Sequence, residues 1–149
     1  MITKAIRVAA QYHEGQFDKV GKPYILHPIK VYEYLEDPTE DEAITAILHD
    51  VVEDTLCTFE ILRLLGFSEE VIEAVDAITR QKSETYIEYL VRCCKNEIAT
   101  KVKFADVKHN FERSINYPDN IPEEVKKELN SLKGRYEKSL RFIQGEDYA

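Results

Sequence analysis

Ala43-Ile44-Thr45-Ala46-Ile47-Leu48-His49-Asp50-Val51-Val52-Glu53-Asp54-Thr55 is the stretch whose reading decides the fold. Ile44, Ile47, Leu48, Val51 and Val52 recur at spacings that make one face of a helix apolar, and such a face is buried. His49, Asp50, Glu53 and Asp54 sit on that face or at its edge. On a continuous helix His49 neighbours Glu53 and Asp50 neighbours Asp54, each pair one turn apart. One imidazole and three carboxylates beside a core repel and lose hydration unless a cation compensates. A divalent metal is the simplest compensation. The competing reading is a solvated acidic helix end, and the apolar residues around this patch speak against it.

Outward from that stretch the chain reads as helix throughout. Residues 2–14 carry Ile2, Ala5, Ile6, Ala9 and Ala10 on one side. Gly15 and Gly21 bracket a polar loop that Pro23 ends. Pro28 suits the first turn of a second helix running through Ile29, Val31, Tyr32 and Leu35, and Pro38 stops it. Thr39 or Asp41 can cap the central helix. Thr58 starts a short helix that Gly66 closes. Ser68-Glu69-Glu70-Val71 reads as a capping box opening a helix to about Thr79. Further helices are expected over 84–95, 97–114 and 123–143, with a proline-containing loop at 116–122. No run alternates as a strand would. The expected fold is all-α, a single domain over residues 1–149, without a substantial sheet.

At 149 residues the chain can bury a proper core. Its net charge of −8 disfavours binding to a nucleic-acid polymer, so an anionic ligand needs a local positive site. No stretch has the apolar length to span a bilayer, and the start lacks the apolar core of a signal peptide. Cys57, Cys93 and Cys94 are odd in number, two of them adjacent, which points to free thiols and a cytoplasmic setting. The oligomeric state is open, a homo-oligomer included.

Two other stretches supply partners for the acidic patch. In Pro23-Tyr24-Ile25-Leu26-His27-Pro28 the proline biases His27 toward an extended backbone, from which its ring projects out of a loop into a cavity. In Lys101-Val102-Lys103-Phe104-Ala105-Asp106-Val107-Lys108-His109-Asn110, Asp106 lies among apolar neighbours, and a buried carboxylate needs a partner. Two imidazoles and two carboxylates, His27, His49, Asp50 and Asp106, suit Mn²⁺, Fe²⁺ or Zn²⁺ and argue against calcium.

These stretches resemble the HD superfamily of metal-dependent phosphohydrolases. More narrowly they resemble the hydrolase domain of RelA/SpoT-type enzymes and their small stand-alone relatives, which removes the 3′-pyrophosphate of guanosine tetra- and pentaphosphate. The resemblance is carried by His13-Glu14-Gly15-Gln16, Gly21-Lys22-Pro23-Tyr24-Ile25-Leu26-His27-Pro28, Leu48-His49-Asp50-Val51-Val52-Glu53-Asp54-Thr55 and Lys103-Phe104-Ala105-Asp106-Val107-Lys108-His109-Asn110. It implies the HD-domain helical fold, one Mn²⁺ held by His27, His49, Asp50 and Asp106, and a catalytic acid pair, Glu53 and Asp54. It places substrate contacts at Lys19, Tyr24 and Asn110. Lys103, and Lys108 beside it, are further candidates for phosphate oxygens. The implied chemistry is attack of an activated water on phosphorus, with Glu53 and Asp54 orienting that water and handling protons.

One departure bears on specificity. Where the resemblance implies a base-contacting arginine, this chain has Asp18. Weak discrimination for guanine is therefore expected, with Tyr86 or Tyr136 as an alternative base platform. The expected substrate is a small nucleotide carrying a phosphate or pyrophosphate ester, guanosine 3′,5′-bis(diphosphate) among them. A phosphatase for another small phosphoester and a non-catalytic nucleotide sensor are the alternatives. Retention of both Glu53 and Asp54 counts against the sensor, because binding alone does not require them. At this length no synthetase domain like that of the large bifunctional enzymes is expected.

Overall fold

The computed structural model describes residues 1–149. Nine helices follow one another: α1 (Ile2–Tyr12), α2 (Leu26–Glu33), α3 (Glu40–Leu48), α4 (Val51–Asp54), α5 (Phe59–Leu64), α6 (Glu69–Ile78), α7 (Tyr86–Cys93), α8 (Glu97–Ile115) and α9 (Glu123–Ile143). The only extended pairing is an isolated bridge between Phe17 and Pro23. No helix is long and apolar enough to cross a membrane.

α3 is the centre. Every residue from Glu42 to Leu48 is buried, so this helix is enclosed on all sides rather than on one face. Ile44, Ile47 and Leu48 pack with Ala5, Val8 and Ala9 of α1 and with Val71, Ile72 and Val75 of α6. Ala46 turns the other way, toward Val31, Leu90, Val102 and Ala105. The helix thereby joins two apolar clusters, and truncating Leu48 to Ala is expected to cost about 2–5 kcal/mol.

Local chemistry sets the helix starts. The side chains of Thr39, Thr58, Ser68, Thr85 and Asn96 each accept a backbone N–H from the first turn. The reciprocal capping box forms at Thr85 and Glu88. Ser68 caps its helix without one, because the third helical residue, Val71, has no side-chain acceptor to return the bond.

Two departures from the sequence reading shape the site. The first is at α2, which begins at Leu26, so His27 lies in a helical first turn and not in an extended loop. Pro28 is tolerated there because first-turn N–H groups have no intrahelical acceptor to lose. The second is that the helix expected over residues 43–55 is broken: α3 ends at Leu48, His49 and Asp50 turn, and α4 resumes at Val51. The His49 ring contributes to the break by donating Nδ1–H to the Ala46 carbonyl at 2.7 Å. Adjacent residues on an unbroken helix point in different directions, so the break is what lets His49 and Asp50 converge.

Candidate metal centre and active site

Three helices meet at one buried point. His27 comes from the first turn of α2, His49 and Asp50 from the α3–α4 break, and Asp106 from the middle of α8. His27 Nε2 lies 2.8 Å from Asp106 Oδ1 and 3.6 Å from Asp50 Oδ2. His49 Nε2 lies 3.0 Å from Asp50 Oδ2 and 3.4 Å from Asp106 Oδ1. His27, His49 and Asp106 thus bring two nitrogens and an oxygen together as one donor cluster, and Asp50, near both histidine nitrogens, joins that cluster to the neighbouring carboxylates of Glu53 and Asp54. His49 is 1% exposed, its Nδ1 is spent on Ala46, and its Nε2 has no hydrogen-bond partner. A buried ring nitrogen left unpaired is costly, and a cation is what its lone pair can serve. The donor set thus fits a divalent transition metal.

The electrostatics agree. Burial drives the His49 pKa down, yet Asp50 and Asp106 beside it hold the ring well above the usual histidine range, so a proton stands in for a cation. Burial works against ionisation of Asp106, but Lys103 and the two imidazoles keep it well below the ordinary carboxylate range. His27 is pushed below its usual range by burial. Tyr24 stays protonated through burial and the nearby Asp50 charge, and it donates its hydroxyl to Asp50 Oδ2 at 2.6 Å.

Glu53 and Asp54 stand at the open side of this point, where their carboxylates cluster with that of Asp50. Glu53 Oε1 accepts the backbone N–H of Arg80 at 2.7 Å. Loss of hydration in the cleft raises the Glu53 pKa, and the same loss with repulsion from Asp50 and Glu53 brings Asp54 up to about 7. The end of α4 is tied down by the loop that follows α1: His13 Nδ1 donates to Gln16 Oε1 at 2.7 Å, and Gln16 Nε2 donates to the Asp54 carbonyl at 2.8 Å.

A small cavity of about 180 Å³ contains this centre, with Lys103, Arg135, Tyr86 and Tyr136 in its walls. A larger one of about 500 Å³ adjoins it and shares Tyr24, His27, Asn110 and Tyr136. Substrate candidates distribute unevenly over the two. Tyr24, Asn110 and Tyr136 lie at their junction. Lys103 is buried and committed to Asp106 Oδ2 at 2.9 Å. Lys19 lines the larger cavity and pairs with Glu128 of α9. Tyr86 carries the Arg135 guanidinium 3.7 Å from its ring centroid, so that face holds a cation instead of lying open to a base. Lys108 sits over the Tyr34 ring at a separate cavity and does not join the site.

Sequence reasoning missed Arg113, Arg135 and His109 as site residues. Their helices were legible, but nothing in the spacing marked which exposed cation would face the cleft.

A model of the HD domain matches residues 5–109. The chain belongs to the HD domain family. A GTP pyrophosphokinase of Myxococcus xanthus is 34% identical over 127 residues, covering 74% of this chain and 17% of that protein. A guanosine-3′,5′-bis(diphosphate) 3′-pyrophosphohydrolase of Borreliella burgdorferi is 40% identical over 81 residues, covering 53% of this chain and 12% of its own length. The HD domain chain thus spans less than a fifth of these relatives. A solved structure described as a metazoan ortholog of SpoT that hydrolyzes ppGpp superposes with a TM-score of 0.75 at 26% identity, covering 97% of this chain and 85% of that one. The all-helical HD fold is shared along nearly the whole chain, including the three helices that converge on the histidines and aspartates.

Proposed function

We propose that this HD domain chain acts as one catalytic unit that hydrolyses a nucleotide pyrophosphate ester, with guanosine 3′,5′-bis(diphosphate) as the leading substrate and pyrophosphate as the leaving product. The observation that carries the reading is the unpartnered, buried His49 Nε2 facing His27, Asp50 and Asp106, beside two acids with raised pKa values. Its relatives' names support the substrate. Mn²⁺ is the proposed ion, held by His27, His49, Asp50 and Asp106; Fe²⁺ and Zn²⁺ suit the same donors. The three free thiols suit a cytoplasmic setting.

Bound there, a divalent ion supplies Lewis acidity at the phosphoryl group and acidifies water. The chain's own groups supply the rest. Tyr24 fixes the Asp50 carboxylate by donating to it. Glu53, anchored through Oε1 by the Arg80 amide, keeps Oε2 to orient the attacking water and accept its proton. Water oxygen bonds to the phosphorus of the 3′-pyrophosphate, and the bond from that phosphorus to the ribose 3′-oxygen breaks. Asp54, with a pKa of about 7, donates a proton to the departing 3′-oxygen. Arg135, seated on Tyr86, offsets charge on the pyrophosphate.

The test is metal-reconstituted protein against a panel of nucleotides, with phosphate and pyrophosphate measured separately. Pyrophosphate from guanosine 3′,5′-bis(diphosphate) is the expected product. Release of orthophosphate alone, or of neither, would overturn the reading.

A further inference from the structure

We infer that Arg113, fixed by Asp18, reads the nucleobase and selects guanine; the inference rests on the reading of the chain as a nucleotide hydrolase. Arg113 projects from α8 into the larger cavity. Its Nη1 lies 3.4 Å from Asp18 Oδ2, and its Nη2 donates to Asn110 Oδ1. Asp18 is itself immobilised. Its Oδ1 accepts the backbone N–H groups of Val20 at 3.0 Å and Lys22 at 2.9 Å, in a turn that Gly21 completes at φ +87°. The guanidinium is held at two corners and cannot swing freely.

Charge decides what this group is for. The Arg113–Asp18 pair is close to neutral, with side chains only 26% and 11% exposed. A phosphate placed there would have to compete with a carboxylate already in contact, so a phosphate is better served by Lys22 in the same cavity. A neutral ring meets no such conflict. The cavity beside Arg113 is also apolar enough for one: Phe17 and Leu26, 65% and 50% exposed, leave their faces open in its wall, and Pro118 and Leu129 complete it.

Hydrogen-bond chemistry then narrows the base. Arginine has five N–H donors and no acceptor, so Arg113 retains free donors after bonding Asp18 and Asn110. Guanine presents two adjacent acceptors, O6 and N7, that match a guanidinium fork. Adenine puts an amino donor beside N7, where donor would face donor. The acid at position 18 therefore does not empty the cavity of a guanidinium. It holds one delivered from α8, and the weak guanine discrimination expected from Asp18 gives way to selection through Arg113. Asn110 links the two regions, since its Nδ2 donates to Asp106 Oδ1 at 3.2 Å while its Oδ1 accepts from Arg113.

The experiment is calorimetric titration of the full chain, with chelator present to prevent turnover, using GDP, ADP and inorganic pyrophosphate as probes. GDP should bind at least about fivefold more tightly than ADP, the low end for a bidentate arginine contact. Arg113→Lys and Arg113→Met should bring that ratio close to one. Asp18→Asn keeps the Oδ1 acceptor of the turn but removes the charge, and it should tighten pyrophosphate binding while reducing the GDP preference. A folded chain that prefers GDP yet hydrolyses no nucleotide would leave Arg113's role standing and remove the hydrolase reading. Equal binding of GDP and ADP by the native chain, a ratio unchanged in either Arg113 variant, or no gain in pyrophosphate affinity in Asp18→Asn would overturn the inference.

Discussion

His27 Nδ1 stands 2.7 Å from His109 Nδ1, with the two ring planes inclined by only 15°. Two ring nitrogens at that distance share one proton. Burial and the neighbouring His27 and Arg113 lower the His109 pKa to about 3, so His109 is neutral and has one nitrogen free to accept. For His27 to offer the Nε2 lone pair to an ion, its proton must sit on Nδ1, and His109 is the acceptor that holds it there. His109→Ala should weaken metal affinity about 10- to 100-fold while the chain stays folded. Competition against a chelator of known affinity measures this, and an unchanged affinity would rule out the role.

Glu53 is tethered by one oxygen to the Arg80 amide and lies outside the four-residue donor set. Glu53→Gln can keep that tether through its amide oxygen while losing the ability to take a proton. Turnover should fall by roughly a hundredfold or more, with metal content retained. Metal analysis beside steady-state kinetics separates the two effects. Full turnover in this variant would remove Glu53 from the chemistry.

Much of this site was legible in the sequence, and the parts that were not have physical reasons. The apolar spacing through Ile44, Ile47 and Leu48, the caps at Thr39, Thr58 and Ser68, and the long helix containing Asp106 all follow from local chemistry. The sequence names His27, His49, Asp50 and Asp106 together, and the fold sets each histidine Nε2 within 3.6 Å of a carboxylate oxygen of both aspartates. The break at His49–Asp50 was not visible, because its residues suit a helix and only the tertiary demand for convergence interrupts it. The helical backbone of His27 was hidden by the bias that Pro28 exerts, which packing overrides. The partnership of Asp18 with Arg113 spans 95 residues, beyond the reach of any local pattern.

Metal should stabilise the fold as well as enable chemistry. The acids and histidines of the centre are arranged for a cation in the folded chain and are dispersed in the unfolded one, so ligand binding shifts unfolding by mass action. Saturating Mn²⁺ should raise the melting temperature, and chelation should lower it, by an amount corresponding to about 3 kcal/mol at a hundredfold excess over Kd. In His49→Ala the metal-dependent part of the shift should vanish. Scanning calorimetry with and without chelator gives the answer, and metal-independent melting of the native chain would contradict it.

Away from the centre, Glu84 locks the segment between α6 and α7. Arg92 donates to both its oxygens, at 2.6 and 2.8 Å, and also to the carbonyls of Asp76 and Thr79. The Arg92 hydrogen bonds hold the Glu84 pKa at about 2, below the ordinary glutamate range. Folded Glu84 thus binds protons more weakly than unfolded Glu84, and acid favours unfolding. Its contribution is complete once the pH is well above 4.5, the ordinary glutamate pKa, and is lost as pH falls toward 2. Urea midpoints of the native chain should therefore fall more steeply than those of Glu84→Gln across that window. Parallel curves would show that the pair contributes nothing there.

The proposed reaction is attack of water on the phosphorus of a nucleotide 3′-pyrophosphate at this centre. The most direct measurement is turnover of guanosine 3′,5′-bis(diphosphate) by the Mn²⁺-loaded chain in ¹⁸O-labelled water, with the products analysed by mass spectrometry. Attack on phosphorus predicts one labelled oxygen in the released pyrophosphate and none in the guanosine 5′-diphosphate. Label in the nucleotide, or no pyrophosphate released, would contradict it.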